Sequence, residues 1–324
     1  MASYIGIKGS NIPAVSSDPS NPILGQLWYN TTSNTLKGYA TSAPAGAWSS
    51  GGTITTGRSN FSSAGTQGAA VIFLGEGPYA DKNKTEEYDG TSWTETNPCL
   101  VARQACANGI GIQTAAMAVS GTDGTIRPYV EHYDGNSWSE GADIQTLRYS
   151  EMGAGTTTAA IIAGGINPPP ANSDCELWNG TSWSETTNIN TARHNGQGAG
   201  TSTATVIAGG TSPGTGPLGN CEIWDGSTWT TVNSLVQART NAGGATNANS
   251  TDFMIFGGTP SVQSLTEVWN GTCWSEVTDM STARIQCEGA GTTGAALVTG
   301  GNPGYLTSTE EWDAGSAVQT FTSS

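Results

Sequence analysis

The strongest constraint on the fold is an internal repeat with a period of about 45 residues. A tryptophan recurs with spacings of 45, 45, 45, 46 and 45 residues, at Trp48, Trp93, Trp138, Trp183, Trp229 and Trp274. An arginine stands ten residues after each of them, at Arg58, Arg103, Arg148, Arg193, Arg239 and Arg284. A glutamate also keeps its place in every unit, at Glu86, Glu131, Glu176, Glu222, Glu267 and Glu310. Self-similarity at a fixed period indicates that each repeat is one supersecondary unit.

Each repeat has the pattern of several short strands. After the arginine comes a glycine-containing segment, and then an apolar run such as "AAVIFLG" or "AAIIAGG", which suits a strand buried on both faces. A variable loop leads to Glu-x-aromatic-Asp/Asn-Gly, just before the next tryptophan. The Asp-Gly or Asn-Gly step favours a tight two-residue hairpin. A four-residue loop would instead pair Tyr88 with Trp93 across the strands. Both alternatives remain open.

Four strands in a unit of this length predict an all-β fold, a six-bladed β-propeller with four-stranded blades. The last unit reads "EEWDAG" and lacks its tryptophan, with Phe321 near the vacant position. Because an open ring would leave unpaired edges, we expect the segment around Trp48 to pair into the last blade, with the C-terminus alongside. A seventh blade built from both ends of the chain is the alternative.

The order of arginine, apolar strand, double glycine, loop, Glu-x-Tyr and tryptophan resembles the kelch family of β-propellers over residues 58–313. Two units depart from the double glycine, with "LGEG" at 74–77 and "VSG" at 119–121. The resemblance implies kelch-like blades. A residue repeated six times is expected to be structural, so we predict Arg–Glu pairs or arginines bound to backbone carbonyls, partly buried and bidentate. The tryptophans are expected to pack one blade on the next.

Residues 1–45 do not fit the repeat. The stretch "GQLWYNTTSNTLKGY" predicts a hairpin from Leu27–Tyr29 to Leu36–Tyr39. With the following "AW" it is similar to the starts of structural and appendage proteins of tailed bacteriophages; a hairpin that only caps the propeller is the alternative. The predicted domains are therefore a docking or capping extension, 1–45, and a propeller, 46–324, closed by its N- and C-terminal segments.

Charge and composition exclude several classes of function. The formal net charge is −15, with 26 acidic and 11 basic residues, which argues against nucleic acid and anionic membranes as partners. The sequence has no run of about 18 apolar residues and no visible secretory signal, so neither membrane insertion nor secretion is expected. The six cysteines have no zinc-like spacing and are expected to be mainly buried thiols of a protein folded in a reducing cytoplasm.

The sequence does not favour an enzyme. Its "YDGTSW" turns differ in spacing from the Asp-box of sialidases, and Arg127 is the one arginine outside the repeat register. The two histidines, His132 and His194, have no partner at a metal-ligand spacing. We therefore expect no catalytic residue, no cofactor and no metal, and a glycosidase or an oxidase is kept only as a minor alternative.

Binding is expected in the variable loops, which are rich in Pro, Gly, Asn and Ser and carry Tyr79, Arg127, Tyr129 and Tyr305. The function expected is that of a non-enzymatic structural or adhesion protein of a phage virion, a head or tail appendage or fibre assembled in the host cytoplasm. It would bind other virion subunits through residues 1–45, bind a host-surface glycan or protein, and belong to a homo-oligomer or larger assembly. The alternative is a stand-alone cytoplasmic kelch-like module that binds proteins or glycans.

Overall fold

Strands and turns account for the regular structure of the chain. A computed structural model describes residues 12–20, 26–40, 46–78, 82–167, 171–315 and 317–321, and no helix occurs in these ranges. The chain divides into two units, residues 1–46 with 314–324, and residues 47–313. The two units are described separately below.

The second unit contains six four-stranded antiparallel sheets, sheets 1 to 6, which follow the six sequence repeats. From first to fourth strand, sheet 1 consists of Ser62–Thr66, Ala69–Phe73, Thr85–Tyr88 and Trp93–Thr96, and sheet 2 of Gly111–Ile112, Ala115–Val119, Val130–Tyr133 and Trp138–Glu140. Sheet 3 consists of Met152–Thr156, Ala159–Ala163, Cys175–Trp178 and Trp183–Thr186, and sheet 4 of Gln197–Thr201, Ala204–Ala208, Cys221–Trp224 and Trp229–Val232. Sheet 5 consists of Gly243–Gly244, Phe253–Phe256, Thr266–Trp269 and Trp274–Val277, and sheet 6 of Glu288–Gly291, Ala295–Thr299, Thr309–Asp313 and Ala47–Ser50. A two-stranded ribbon, Thr211–Ser212 with Gly216–Pro217, lies in the loop of sheet 4. The all-β, propeller-like fold predicted from the repeat is confirmed.

Sheet 6 takes its fourth strand from the beginning of the second unit. Ala47–Ser50 pairs antiparallel with Thr309–Asp313, which places Trp48 opposite Trp312. The backbone N–H of Gly51 continues this ladder by donating to the carbonyl of Thr309 at 2.9 Å. Trp48 thus fills the position that the last repeat leaves without a tryptophan.

The hairpin between the third and fourth strands has a four-residue loop in the repeats. In sheet 1 Tyr88 lies opposite Trp93, with ring centroids 4.9 Å apart. The Asp89 carboxylate caps the loop, because its Oδ1 accepts the backbone N–H groups of Thr91 and Ser92 at 2.8 Å each. The equivalent aromatic pairs of the other five sheets have centroid distances of 5.0 to 5.6 Å. Of the two hairpins that the sequence allowed, the chain forms the longer one.

The first strands of the sheets are the innermost. Each contacts the first strand of the next sheet, and these contacts run through all six sheets and return to the start. A ring of backbone hydrogen bonds lies beside these strands, where one residue of each repeat donates its N–H to the carbonyl of its counterpart in the preceding repeat at 2.7 to 3.1 Å. The members of this ring stand two residues after the repeated arginines and are Asn60, Ala105, Ser150, Asn195, Asn241 and Gln286.

The tryptophans of the fourth strands pack on the preceding sheet. Trp138 of sheet 2 lies 4.9 Å from the Phe73 ring of sheet 1, and its Nε1–H donates to Thr85 Oγ1 at 2.9 Å. Trp229 belongs to a buried cluster with Ile161 and Ala163 of sheet 3. Burying large aromatic surfaces between sheets is a dominant source of packing energy. The sheets are thus held to one another by the same residues that mark the repeat.

The described residues of the first unit form one four-stranded sheet. Leu27–Asn30 and Thr35–Ala40 form an antiparallel hairpin, and Ala14–Val15 adds to it in parallel. Asp18 fastens the preceding segment to this hairpin by accepting hydrogen bonds from Trp28 Nε1 at 3.0 Å and Lys37 Nζ at 2.7 Å. These bonds lower the pKa of the Asp18 carboxyl to about 2.

The domain boundary expected from the sequence has to be corrected at the C-terminus. Residues 314–324 were assigned to the propeller, with Phe321 near the position of a tryptophan, but they belong to the first unit. Ala317–Phe321 pairs antiparallel with Thr35–Ala40 and completes the sheet of that unit. The physical reason is that Ala47–Ser50 already occupies the free edge of Thr309–Asp313. The alternative drawn from the sequence was a seventh blade built from both ends of the chain. Segments from both ends do pair in one sheet, and that sheet lies in the first unit.

We expect Trp312→Ala to lower the free energy of unfolding by about 3 kcal/mol, the usual cost of a large aromatic-to-alanine change in a core. Trp312 is 2% exposed, lies 5.6 Å from Trp48, and donates its Nε1–H to the Thr293 carbonyl. Trp224→Ala, at the same position in sheet 4, is the matched control. Limited proteolysis should release the Ala47–Ser50 strand in the first variant and not in the second. Equal protection of that strand in both variants would contradict the closing role of the pair.

Candidate functional site

The repeated charged residues form one buried ion pair in each sheet. All six arginines and all six glutamates are between 0 and 3% exposed. Arg148 Nη2 lies 2.9 Å from Glu176 Oε1, Arg284 Nη2 lies 2.7 Å from Glu310 Oε1, and the other four arginines pair with their glutamates in the same way. None of these charged groups is accessible to a ligand from solvent.

Each pair is also tied to the backbone. In sheet 4 Glu222 accepts the N–H groups of Asn190 at 2.7 Å and Thr191 at 3.2 Å. Arg193 Nη1 donates to the carbonyls of Gly209 at 3.4 Å and Asn220 at 2.6 Å. The Arg193–Glu222 pair therefore joins the segment before the first strand of sheet 4 to the end of the second strand and the start of the third. The geometry differs from the expected bidentate and partly buried pair, because backbone amides occupy the acceptor positions that a second arginine nitrogen would need.

Arg148 is bound differently from the other five arginines. Its Nε and Nη1 have no hydrogen-bond partner, and its Nε lies 3.8 Å from Glu151 Oε1. Glu151 is 2% exposed, and its Oε2 accepts a hydrogen bond from Ser120 Oγ at 2.7 Å. Burial raises the pKa of Glu151 to about 7, although the nearby Arg148 guanidinium opposes this shift. A second acidic side chain is thus inserted beside the repeated pair in sheet 3.

Of the loop residues singled out from the sequence, Arg127 and Tyr129 share one loop and Tyr305 lies on another. Arg127 forms an exposed ion pair with Asp123 at 2.9 Å, and its guanidinium lies 5.7 Å from the centre of the Tyr129 ring. Tyr305 lies in the loop of sheet 6 with a φ of 54°. Tyr79 lies outside the described residues. Arg127 and Tyr129 therefore form one small aromatic and cationic surface, which does not include Tyr305.

A central cavity opens at the ring of backbone hydrogen bonds. Its volume is about 40 Å³, and it is lined by residues from all six repeats, among them Asn60, Asn108, Glu151, Asn195, Gln197 and Glu288. Among the described residues, the lining contains two carboxylates and several side-chain amides and no lysine, arginine or histidine. The cavity is therefore a polar site with an excess of hydrogen-bond acceptors.

The six ring residues have an unusual backbone conformation. Their φ angles are 51 to 60°, in the left-handed region that non-glycine residues seldom occupy. Asparagine tolerates this region better than alanine does, and three of the six members are asparagines. The strain is repeated in every sheet and directs the ring side chains toward the cavity that they line.

We expect Ala105→Gly to stabilise the protein by about 0.5–1 kcal/mol, because alanine has a higher conformational cost than glycine at positive φ. Ala105→Val should destabilise it, since a β-branched residue is still less compatible with this conformation. Urea unfolding of the two variants and the wild type provides the measurement. A loss of stability in Ala105→Gly would show that the ring position is not strained.

A hydrogen-bonded network crosses the cavity between alternate sheets. Asn108 of the second repeat donates to Gln197 Oε1, and Gln197 Nε2 donates to Glu288 Oε1 at 3.3 Å and to the Ala242 carbonyl at 2.6 Å. Glu288 Oε2 is buried and has no hydrogen-bond partner. Burial raises the pKa of Glu288 to about 8, against the lowering effect of the amides of Gln197 and Asn108. The network therefore fixes one oxygen of Glu288 and leaves the other free.

The cysteines and histidines are placed without a metal-binding cluster. All six cysteines are free thiols, and five of them are buried, as expected, whereas Cys273 is exposed. His132 packs 5.6 Å from the Trp178 ring, and burial lowers the pKa of both His132 and His194. Within the described ranges no three His, Cys, Asp or Glu residues are grouped to hold a metal ion. The part of the chain that the structure describes also has no helix long and apolar enough to span a membrane.

Glu151 and Glu288 are the site residues that the repeat did not identify. They stand three and four residues after their arginines, where other repeats carry residues such as Phe61, Ala107 and Gly243. Because each occurs in a single repeat, neither contributes to the periodic pattern. A charged residue at an innermost position that is uncharged in the five other repeats is the sequence signal that could have found them.

Comparisons with known proteins bear on the fold. No protein-family model matches the chain, and a search of curated proteins found no similar sequence. Among solved structures the chain is similar to that of YjhT, with a TM-score of 0.66 and 12% sequence identity. The similarity covers 82% of this chain and 99% of YjhT. At this identity the likeness shows the propeller-like fold that the two chains share.

Proposed function

We propose that the chain is a non-enzymatic structural and adhesion protein of a tailed-bacteriophage virion. Its kelch-type, six-bladed propeller would be presented for host-surface or subunit binding, and residues 1–45 would dock it to other virion subunits. The observation that carries the proposal is the burial of all twelve repeated charged residues in pairs that hold the framework. Such a scaffold leaves the variable loops free for recognition.

The loops offer a suitable binding surface in the second repeat. The Asp123 carboxylate fixes the Arg127 guanidinium, which lies 5.7 Å from the centre of the Tyr129 ring. A rigid aromatic side chain beside a partly exposed arginine is typical of protein and glycan recognition. The similarity of the N-terminal stretch to phage appendage proteins supports a virion location.

Cryo-electron microscopy of the particles that contain the chain tests this proposal. We expect the chain at a defined position on the particle, with residues 1–45 in contact with other subunits and the repeat region exposed. Quantitative mass spectrometry of purified particles should find a fixed number of copies in each particle. A soluble monomer that does not sediment with particles would contradict the virion role and would favour the stand-alone binding module.

Host recognition is tested by a pair of loop substitutions. The double variant Arg127→Ala/Tyr129→Ala should reduce binding of the purified protein to host cells by at least tenfold, because it removes both the cation and the aromatic ring. Thr94→Ala, an exposed change on the fourth strand of sheet 1, is the control and should bind normally. Unchanged binding by the double variant would move the recognition surface to other loops.

A further inference from the structure

Two carboxylate oxygens at the central cavity accept no hydrogen bond from the residues that the structure describes. Glu288 Oε2 and Glu151 Oε1 are buried, both residues line the cavity, and neither atom has a hydrogen-bond partner. Glu151 as a whole is 2% exposed. An unpaired acceptor at such depth costs free energy, so the cavity favours an occupant that donates hydrogen bonds.

Charge restricts the occupant further. The part of the chain that the structure describes lines the cavity with two carboxylates and no basic side chain, and the full sequence carries a formal net charge of −15. Glu151 has Arg148 beside it, whereas the hydrogen-bond partners of Glu288 are the neutral amides of Gln197 and Asn108. The field of the whole protein and the local field therefore both favour a cation over an anion or a neutral sugar.

Size decides between the possible cationic ligands. A volume of about 40 Å³ gives room for roughly three water molecules, because each water molecule needs about 10–15 Å³ of cavity volume. A sugar ring is too large for this space, whereas the head of an alkylammonium ion fits and its chain can leave through the opening. Calcium takes about 6–8 oxygen ligands, commonly from several carboxylates. The described residues offer no grouping of three acidic, histidine or cysteine ligands.

We propose that the central cavity binds a primary ammonium group, with the carboxylate of Glu288 as its charge partner. The three N–H donors of such a group match Glu288 Oε2 and the amide oxygens of other lining residues, such as Asn60 and Asn241. The Asn108–Gln197–Glu288 network holds the carboxylate in place before the ligand arrives. The ligand is a small amine or a lysine side chain, and this site is independent of the proposed virion role.

Calorimetric titration of the full chain with n-butylammonium chloride provides the first test. We expect one site for each chain, and binding at least tenfold weaker for trimethylbutylammonium, which has the same charge and no N–H donor. Neutral n-butanol should not bind. Equal affinity for the primary and quaternary cations would overturn the proposal, and so would a higher affinity for calcium than for the amine. These comparisons use the wild-type chain alone and do not depend on any variant.

Substitution locates the site. Glu288→Gln should reduce the affinity for butylammonium at least tenfold, because it removes the charge and keeps an acceptor for Gln197. Glu140→Gln, an exposed change on the fourth strand of sheet 2, is the control and should leave the affinity unchanged. Unaltered affinity in Glu288→Gln would place the amine elsewhere and would overturn the assignment.

The pH dependence provides an independent readout. The pKa of Glu288 is about 8, so a cation has to displace a proton from this carboxyl at lower pH. The affinity of the wild type should rise close to tenfold for each pH unit between pH 5 and pH 7, and the rise should be clearly smaller in Glu288→Gln, where Glu151 is the remaining carboxyl of the cavity. A flat profile in the wild type would contradict Glu288 as the charge partner.

The source of the ammonium group is distinguished by two probes. Free lysine amide and a short peptide with one central lysine both carry the ammonium group, and only the peptide can also contact the rim. Tighter binding of the peptide would indicate a protein partner, and equal or weaker binding would indicate a free amine. Binding of either probe supports the site, and failure of both to bind would overturn it.

Discussion

Replacing Arg239 with methionine should lower the free energy of unfolding by about 3–5 kcal/mol. Arg239 is fully buried, pairs with Glu267, and donates to the carbonyls of Gly257 at 3.1 Å and Leu265 at 3.0 Å. Methionine fills much of the space but leaves the Glu267 charge buried with only backbone amides as partners. The cost of an uncompensated buried charge exceeds the loss of the hydrogen bonds themselves.

Urea unfolding followed by tryptophan fluorescence measures this change. Lys84→Met is the matched control, because Lys84 forms a partly exposed ion pair with Glu95 at 2.9 Å and should cost under about 1 kcal/mol. The double variant Arg239→Met/Glu267→Gln should recover part of the loss, since it removes the unpaired charge. A cost for Arg239→Met as small as that of Lys84→Met would show that the buried pair does not hold the framework.

Glu288→Gln should change the pH dependence of stability by roughly 3–5 kcal/mol between pH 4.5 and pH 9. The pKa of Glu288 in the folded protein is about 8, above its ordinary value of 4.5, so the unfolded chain loses this proton first as the pH rises. The contribution of the protonated Glu288 is therefore present below pH 4.5 and is lost as the pH rises toward 8. A glutamine cannot ionise, so the variant should keep this stability and exceed the wild type at pH 9.

Two other titratable groups near the cavity bear on the pH dependence of the free energy of unfolding. Glu151, with a pKa of about 7, contributes a loss of the same sign, and the Cys287 thiol stays neutral because burial raises its pKa to about 12. Because these groups are present in both proteins, their contributions largely cancel when the free energy of unfolding of the wild type is subtracted from that of Glu288→Gln at each pH. Denaturant unfolding in amine-free buffers at several pH values provides the measurement, with Glu140→Gln as the control. Parallel stability curves for wild type and Glu288→Gln would mean that the carboxyl is not buried in the folded protein.

The repeated four-stranded sheets and their Arg–Glu pairs could be predicted from the sequence, because the residues that form them recur at the same position in every repeat. Arg193 and Glu222, for example, appear in register with five other pairs, and the structure places each arginine against its glutamate. The length of the hairpin loop could not be chosen, because Asp89-Gly90 fits a two-residue turn as well as the four-residue loop that Asp89 caps. That choice depends on the stacking of Tyr88 on Trp93, a cross-strand contact.

The central cavity could not be predicted, because its chemistry depends on residues that are not repeated. Asn108, Gln197 and Glu288 occur in alternate repeats and are separated by about 90 residues, yet they form one network. Only closure of the sheets around a common centre brings them together. The assignment of Ala317–Phe321 to the first unit was missed for a related reason, because strand pairing between distant segments is not encoded in local periodicity.

The completion of sheet 6 by Ala47–Ser50 has a consequence for how the protein forms during synthesis. Its partners lie about 262 residues further along the chain, as the contact between Ser49 and Glu311 shows. Sheets 1 to 5 contain only strands close in sequence and can fold one after another as they leave the ribosome. The Ala47–Ser50 strand, made before all of them, must wait unpaired until Thr309–Asp313 has been translated. The rate of maturation should therefore be set by this last, long-range pairing, as expected for contacts with a large sequence separation.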